Sequence, residues 1–228
     1  MVSRASVQLS AGDFSYLEGG VGPPVLFLHA LGRSASDWLP IIEALENEWR
    51  CIALDQRGHG HSVHTGEYRF GLLEGDFREF VDSLGIDRFN LVAHSMGGVV
   101  GLLFAEKTAE RLRSLILEDT TVPMNRHEYP DVPPSPDEQV DYDWEARRQL
   151  FRELSSPDPT WWTALRQITT PTLLIAGRRF DRDLEETAES LQDVHMVTIE
   201  AGHWIHETES EPFLEAVREF LERQTTDS

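Results

Sequence analysis

The 228 residues suit one compact domain with room for a small insertion. Forty acidic residues against 20 Lys and Arg give a formal charge of −20, and no basic cluster interrupts it, which argues against a nucleic-acid partner. A lone cysteine, Cys51, precludes an internal disulfide and fits a reducing compartment, read here as the cytoplasm. The first residues lack an apolar signal core, and no window approaches the roughly 18 apolar residues that a membrane span requires.

In chain order, SVQL and FSYLE read as two short strands around a Gly12-Asp13 turn. VLFLH (25–29) is a continuous apolar run, as expected of a strand buried on both faces of a parallel sheet. Trp38, Ile41, Ile42 and Leu45 then recur at helical spacing over 35–47. The pattern repeats: strand 51–55, helix 69–84, strand 90–94, helix 96–109, strand 114–119. Cys51 falls in the first of these strands and reads as a buried, inert thiol. Such alternation predicts an α/β fold with a mostly parallel, doubly wound sheet. Five prolines between residues 123 and 136 interrupt the rhythm, and 138–154 and 160–168 read as short helices. The stretch 121–168 is too short to bury a core of its own and is read as a small cap inserted between core segments 1–120 and 169–228. The rhythm resumes with strand 171–177, helix 183–191, strand 195–200 and a final helix over 209–222.

Chemistry concentrates at the ends of these strands. In NLVAHSMGGVVG, Ser95 stands between a strand and a helix. A nucleophile elbow needs that context, with small residues two positions either side. Gly97 satisfies the rule, and Ala93 replaces the usual glycine on the near side. The bland alternative is that Ser95 only caps the following helix. Four segments in order, LFLHALGRSASDW, LDQRGHGHS, LVAHSMGGVVG and EAGHWIHE, resemble the α/β-hydrolase superfamily, in its group of small esterases, lactonases, carbon–carbon bond hydrolases and cofactor-free haloperoxidases.

That resemblance implies Ser95 as nucleophile and His203, in the loop after the last strand, as its base. It implies oxyanion-hole donors in the backbone N–H groups of Leu31 and Met96. For the acid it offers two positions, Asp181 after strand 171–177 and Asp119 at the end of strand 114–119, with Asp181 preferred. His29 and the Asp55-to-Ser62 turn read as loop supports, with Arg57 and Asp55 pinning the turn. His59, His61 and His64 lack the spacing of a metal site, and neither a metal nor an organic cofactor is expected. Leu31, Trp38, Trp144 and Trp161 are expected to line an apolar substrate pocket under the cap. The expected substrate is a small ester or lactone with an apolar part, and no membrane partner is expected. The same triad could serve carbon–carbon bond hydrolysis, thioester cleavage or perhydrolysis, or the pocket could act as a receptor with negligible turnover.

Overall fold

Residues alternate between two cores along each central strand of the sheet. Val25 and Phe27 pack into one apolar cluster and Leu26 and Leu28 into the other, and Cys51 and Ala53 divide from Ile52 and Leu54 in the same way. Both faces are therefore covered, which is why these strands read as unbroken apolar runs. A computed structural model describes residues 1–121, 131–158, 160, 165–178 and 182–226.

The eight strands are β1 (Ser3–Leu9), β2 (Gly12–Gly19), β3 (Pro24–Leu28), β4 (Arg50–Leu54), β5 (Phe89–His94), β6 (Leu112–Glu118), β7 (Thr172–Ala176) and β8 (Val194–Thr198). Their order across the sheet is β1-β2-β4-β3-β5-β6-β7-β8. The β1–β2 and β2–β4 pairs are antiparallel, and every later pair is parallel. The chain thus winds outward from β3 in both directions, so β5 and β6 lie at the sheet's centre with their carboxyl ends side by side.

On one face lie α2 (Phe70–Ser83) and α3 (Met96–Thr108). Their Phe77, Phe80 and Phe104 pack with Phe89, the Phe77–Phe104 rings meeting edge to face at 5.1 Å. The opposite face is covered by α1 (Leu39–Leu45) and by the last helix, Ser210–Thr226, through Ile41, Ile42, Phe213, Val217 and Leu221. Burial of Cys51 pushes its thiol up to about 12, so it stays protonated and unreactive, as the sequence implies.

Within the expected cap, α4 spans Trp144–Ser155 and starts six residues later than the sequence suggests. Asp143 caps it, accepting from Glu145 N–H at 3.0 Å, and thereby fixes the start. Gln149 and Glu153 accept the backbone N–H groups of Tyr68 and Phe70 at 2.8 and 2.9 Å, tying α4 to the start of α2. The expected helix 160–168 falls largely outside the described residues, as does Asp181. No helix among the described residues is long and apolar enough to cross a membrane.

Candidate active site

The carboxyl end of β5 runs directly into α3, and the turn between them is a single residue, Ser95. Its backbone has φ 50° and ψ −110°. This is a conformation that L-residues adopt at a cost of about 1–3 kcal/mol, held only where the surroundings enforce it. Enforcement is visible on both sides. Ser95 N–H donates to Glu118 O at 3.1 Å, and Ser95 O accepts from Val99 N–H at 3.2 Å. A Cβ at Gly97 would lie 2.5 Å from Leu28 O, so only glycine lets α3 approach β3 this closely.

One strand over, β6 ends in a second strained residue. Asp119 has φ 40°, and among the described residues it and Ser95 are the only non-glycine residues with positive φ. Asp119 is held by its N–H to Ile175 O at 2.8 Å. Its Oδ2 accepts from His203 Nδ1 at 2.6 Å, and its Oδ1 accepts from Gly177 N–H at 3.4 Å. With Nδ1–H directed at a carboxylate, the His203 Nε2 is left as an acceptor. Asp119, the second choice on sequence grounds, therefore occupies the position beside the imidazole.

Ser95, Asp119 and His203 line one cavity of about 560 Å³, together with Ala30, Leu31, Met96 and Trp204. Its farther wall comes from Phe70, Val99, Leu184 and the α4 residues Arg147, Leu150, Phe151 and Leu154. Leu31 lines this cavity, as expected of it, and Met96 lines it too. Two other expected lining residues lie elsewhere. Trp38 is fully buried in the opposite core, stacked on His206 at 4.3 Å, because the apolar stripe of its helical turn faces the sheet rather than the cavity. Trp144 donates its indole N–H to Pro133 O at 2.8 Å and leans toward Tyr142, away from the cavity lining. Trp161 lies outside the described residues. Trp204 was missed as a lining residue; its place directly after His203 was the available signal.

The loops around the cavity are braced by buried histidines. His29 Nε2 accepts from Gln56 N–H at 3.0 Å, and its Nδ1 bonds Ala30 O at 2.8 Å. His59 Nε2 accepts from Gly32 N–H at 3.1 Å. Both hold residues 29–32 in place, the supporting role expected of His29. Burial drives His29 down to about 4 and His59 to about 3, so both are neutral acceptors. Asp55 and Arg57 both hold the turn, each through its own partners. Buried Asp55 binds Arg4 at 2.7 Å, Ala35 N–H at 2.7 Å and His61 N–H at 3.1 Å, while Arg57 forks onto Asp76. Two separate carboxylates are needed because Asp55 is filled from the β1 and β3 sides. Arg33 stacks over Trp204 at 4.2 Å and pairs with Glu207, linking the Leu31 loop to the His203 loop.

Beneath the cavity lies a cluster that sequence reasoning did not identify. Glu118 is fully buried at the end of β6, and it accepts from His206 N–H at 2.9 Å and bonds His206 Nδ1 at 2.7 Å. His94 completes the group, with ligand-type atoms of all three within 4.8 Å of one another. His94 is held well below its ordinary pKa, first by burial and then by the neighbouring His203 and His206. The Glu118 oxygens are already engaged by His206, so the cluster reads as a hydrogen-bonded brace. Adjacent carboxylates, Glu118 and Asp119, thus grip two histidines three residues apart, His203 in the loop and His206 in the short helix Ile205–Thr208 that follows it. The acidic ending of an otherwise apolar strand, SLILED, was the signal for it.

The comparisons with known proteins agree with this architecture. The family model described as the alpha/beta hydrolase fold matches residues 23–160, more than half of the chain. The chain belongs to the α/β-hydrolase fold family. Within that family it is 33% identical over 107 residues to the RutD protein of Enterobacter cloacae, whose proposed activity is carbamate hydrolysis, covering 46% of this chain and 40% of the relative. It is also 33% identical over 113 residues to haloalkane dehalogenase 2 of Mycobacterium tuberculosis, covering 49% of this chain and 40% of the relative. Each match therefore spans less than half of the curated relative. The enol-lactonase of Burkholderia xenovorans LB400 superposes with a TM-score of 0.83 at 23% identity, covering 95% of this chain and 99% of that one, a likeness of fold. These relatives are hydrolytic enzymes.

Two predictions follow from the braces. His29 is neutral when folded but has an ordinary pKa near 6.5 when unfolded, so acid favours the unfolded chain between pH 6.5 and about 4. Glu106, raised to about 7 by burial, works in the opposite sense, so the telling quantity is a difference between proteins. Between pH 7 and 5 the wild type should lose about 2 kcal/mol more stability than His29→Gln, measured by urea unfolding. Equal losses would contradict the buried neutral imidazole. Glu118→Ala leaves the buried His206 donors without acceptors and should cost about 3 kcal/mol, read from the urea midpoint.

Proposed function

We propose that this chain is a serine hydrolase that cleaves a small carboxylic ester or lactone through an acyl-enzyme. The observation that carries the reading is the strained Ser95 turn facing the same cavity as the Asp119–His203 pair. Asp119 is the acid of the proposed triad, in preference to Asp181. The carboxylate fixes the imidazole tautomer and stabilises the cation formed when Nε2 takes a proton.

The residues then divide the work. His203 Nε2 removes the Ser95 hydroxyl proton as Oγ bonds to the substrate carbonyl carbon. Negative charge gathers on the carbonyl oxygen, where the backbone N–H groups of Leu31 and Met96 are proposed as donors. Met96 is the first residue of α3, so its N–H belongs to the set that a helix leaves without internal partners. Each such donor is worth about 3 kcal/mol at the transition state. The imidazolium returns its proton to the leaving alcohol. Water then attacks the acyl-enzyme with the same histidine as base, releasing the acid and restoring Ser95.

A serine at position 95 separates this reading from displacement chemistry that forms an ester on an aspartate. The names of the relatives range over carbamate, haloalkane and lactone substrates; carbamate and lactone cleavage are both acyl transfers within reach of a serine and a histidine, and the mostly apolar lining favours an ester or lactone. A cytoplasmic location belongs to the same proposal and rests on the lone buried thiol.

Turnover of an activated ester checks the assignment. Ser95→Ala should lower kcat by at least about 10⁴-fold while the protein stays folded. Asp119→Asn should lower it by about 10³–10⁴-fold, and Asp181→Asn by less than tenfold. Loss in Asp181→Asn with retention in Asp119→Asn would reassign the acid.

A further inference from the structure

The cavity-facing stripe of α4 consists of Arg147, Leu150, Phe151 and Leu154, spaced at i, i+3, i+4 and i+7. That spacing lays four side chains along one helix face. Three are apolar, as a face over an apolar cavity requires, and the fourth is an arginine. The rest of the lining supplies no other lysine or arginine among the described residues.

Three of the neighbouring charges on α4 have partners of their own. Arg148 pairs with Glu145 at 2.6 Å, and Glu145 and Glu153 are engaged by Gln149 and by Phe70 N–H. Arg147 differs. Among the described residues no carboxylate lies within ion-pair distance of it. Its guanidinium instead rests on rings, 4.8 Å from the centroid of Phe151 and 5.4 Å from that of Trp144. Such contacts orient the group without neutralising it, and among the described residues no carboxylate takes up its N–H fork, which suits a planar partner. Placing an unneutralised cation against an apolar wall costs desolvation unless an anion joins it.

We propose that Arg147 is a specificity residue that binds a carboxylate on the substrate, separated by an apolar spacer from the carbonyl attacked by Ser95. This rests on the acyl-transfer reading above and names its substrate class: half-esters or lactones of dicarboxylic acids. One guanidinium matches one carboxylate in charge and in its two-pronged geometry. A phosphate dianion would leave surplus negative charge in a cavity that already holds Asp119. The spacer follows from the lining: Met96, Val99, Leu150 and Leu184 offer no polar side chain along the way, and Thr121 carries the one hydroxyl on the described lining besides Ser95. In a chain of net charge −20, this single cation is what would admit an anionic substrate.

The test compares p-nitrophenyl half-esters of six- and eight-carbon dicarboxylic acids with the same esters capped as ω-methyl esters. The wild type should favour the free carboxylate at least tenfold in kcat/KM at one or both lengths. Arg147→Gln should cut that ratio at least tenfold, mainly through KM, and Arg147→Glu should turn the preference toward an ω-ammonium ester. A ratio that Arg147→Gln leaves unchanged overturns the inference while the hydrolase reading stands. If the wild type turns over no ester, the hydrolase reading fails, and calorimetric titration with adipate and its diamide decides the anion site. Adipate binding that is lost in Arg147→Gln supports the site, and binding equal in both proteins, or none in the wild type, overturns it.

Discussion

Two neighbouring parallel strands each end in a residue forced to positive φ, and the rest of the site is arranged around that constraint. Ser95 and Asp119 are linked through the adjoining Glu118, whose carbonyl accepts the Ser95 N–H. Serine rarely adopts this backbone region and aspartate does so only somewhat more often, and two such positions together cost about 2–6 kcal/mol. The parallel register of β5 with β6 and of β6 with β7 makes the conformation obligatory, because Asp119 N–H must reach Ile175 O just as the strand ends. Strain is thus supported by ladder hydrogen bonds in the most buried part of the sheet. The outcome is a hydroxyl and a carboxylate presented side by side above the same edge.

The proposed catalytic groups and their supports are separated by depth. Asp119 and His203 face the cavity, whereas Glu118 and His206, one and three residues away along the chain, meet below it. The deeper pair excludes water and is capped by the Trp38 ring. A loop fixed at His206 gives His203 little freedom to swing away from Asp119. The 29–32 loop is held independently by His29 and His59, so the proposed oxyanion donor Leu31 and the proposed base are positioned by different braces. Arg33, between Trp204 and Glu207, joins the two.

Much of this was legible in the sequence for a simple reason. Strands buried on both faces read as continuous apolar runs, and VLFLH, CIALD and NLVAH are such runs. Ser95 was legible because small residues must flank a strand-to-helix elbow, and His203 because of its place after the last strand. The place of Asp119 beside His203 was not legible. Which of two aspartates meets an imidazole depends on how far β6 and β7 extend beside each other, and local spacing does not encode that register. Trp38 was misplaced because an aromatic on an amphipathic turn fits a core as well as a pocket, and periodicity gives a face without naming what it faces. The start of α4 was misjudged because acidic residues before Trp144 resemble helix positions until Asp143 is seen to cap it.

The central claim is that Ser95 is an activated nucleophile, and covalent labelling reads it most directly. Treated with an active-site-directed fluorophosphonate, the protein should gain one adduct by intact mass, mapped to the Ser95 peptide. Labelling should vanish in Ser95→Ala and slow by at least tenfold in Asp119→Asn. An unlabelled wild type, or an adduct on any other residue, would contradict the account.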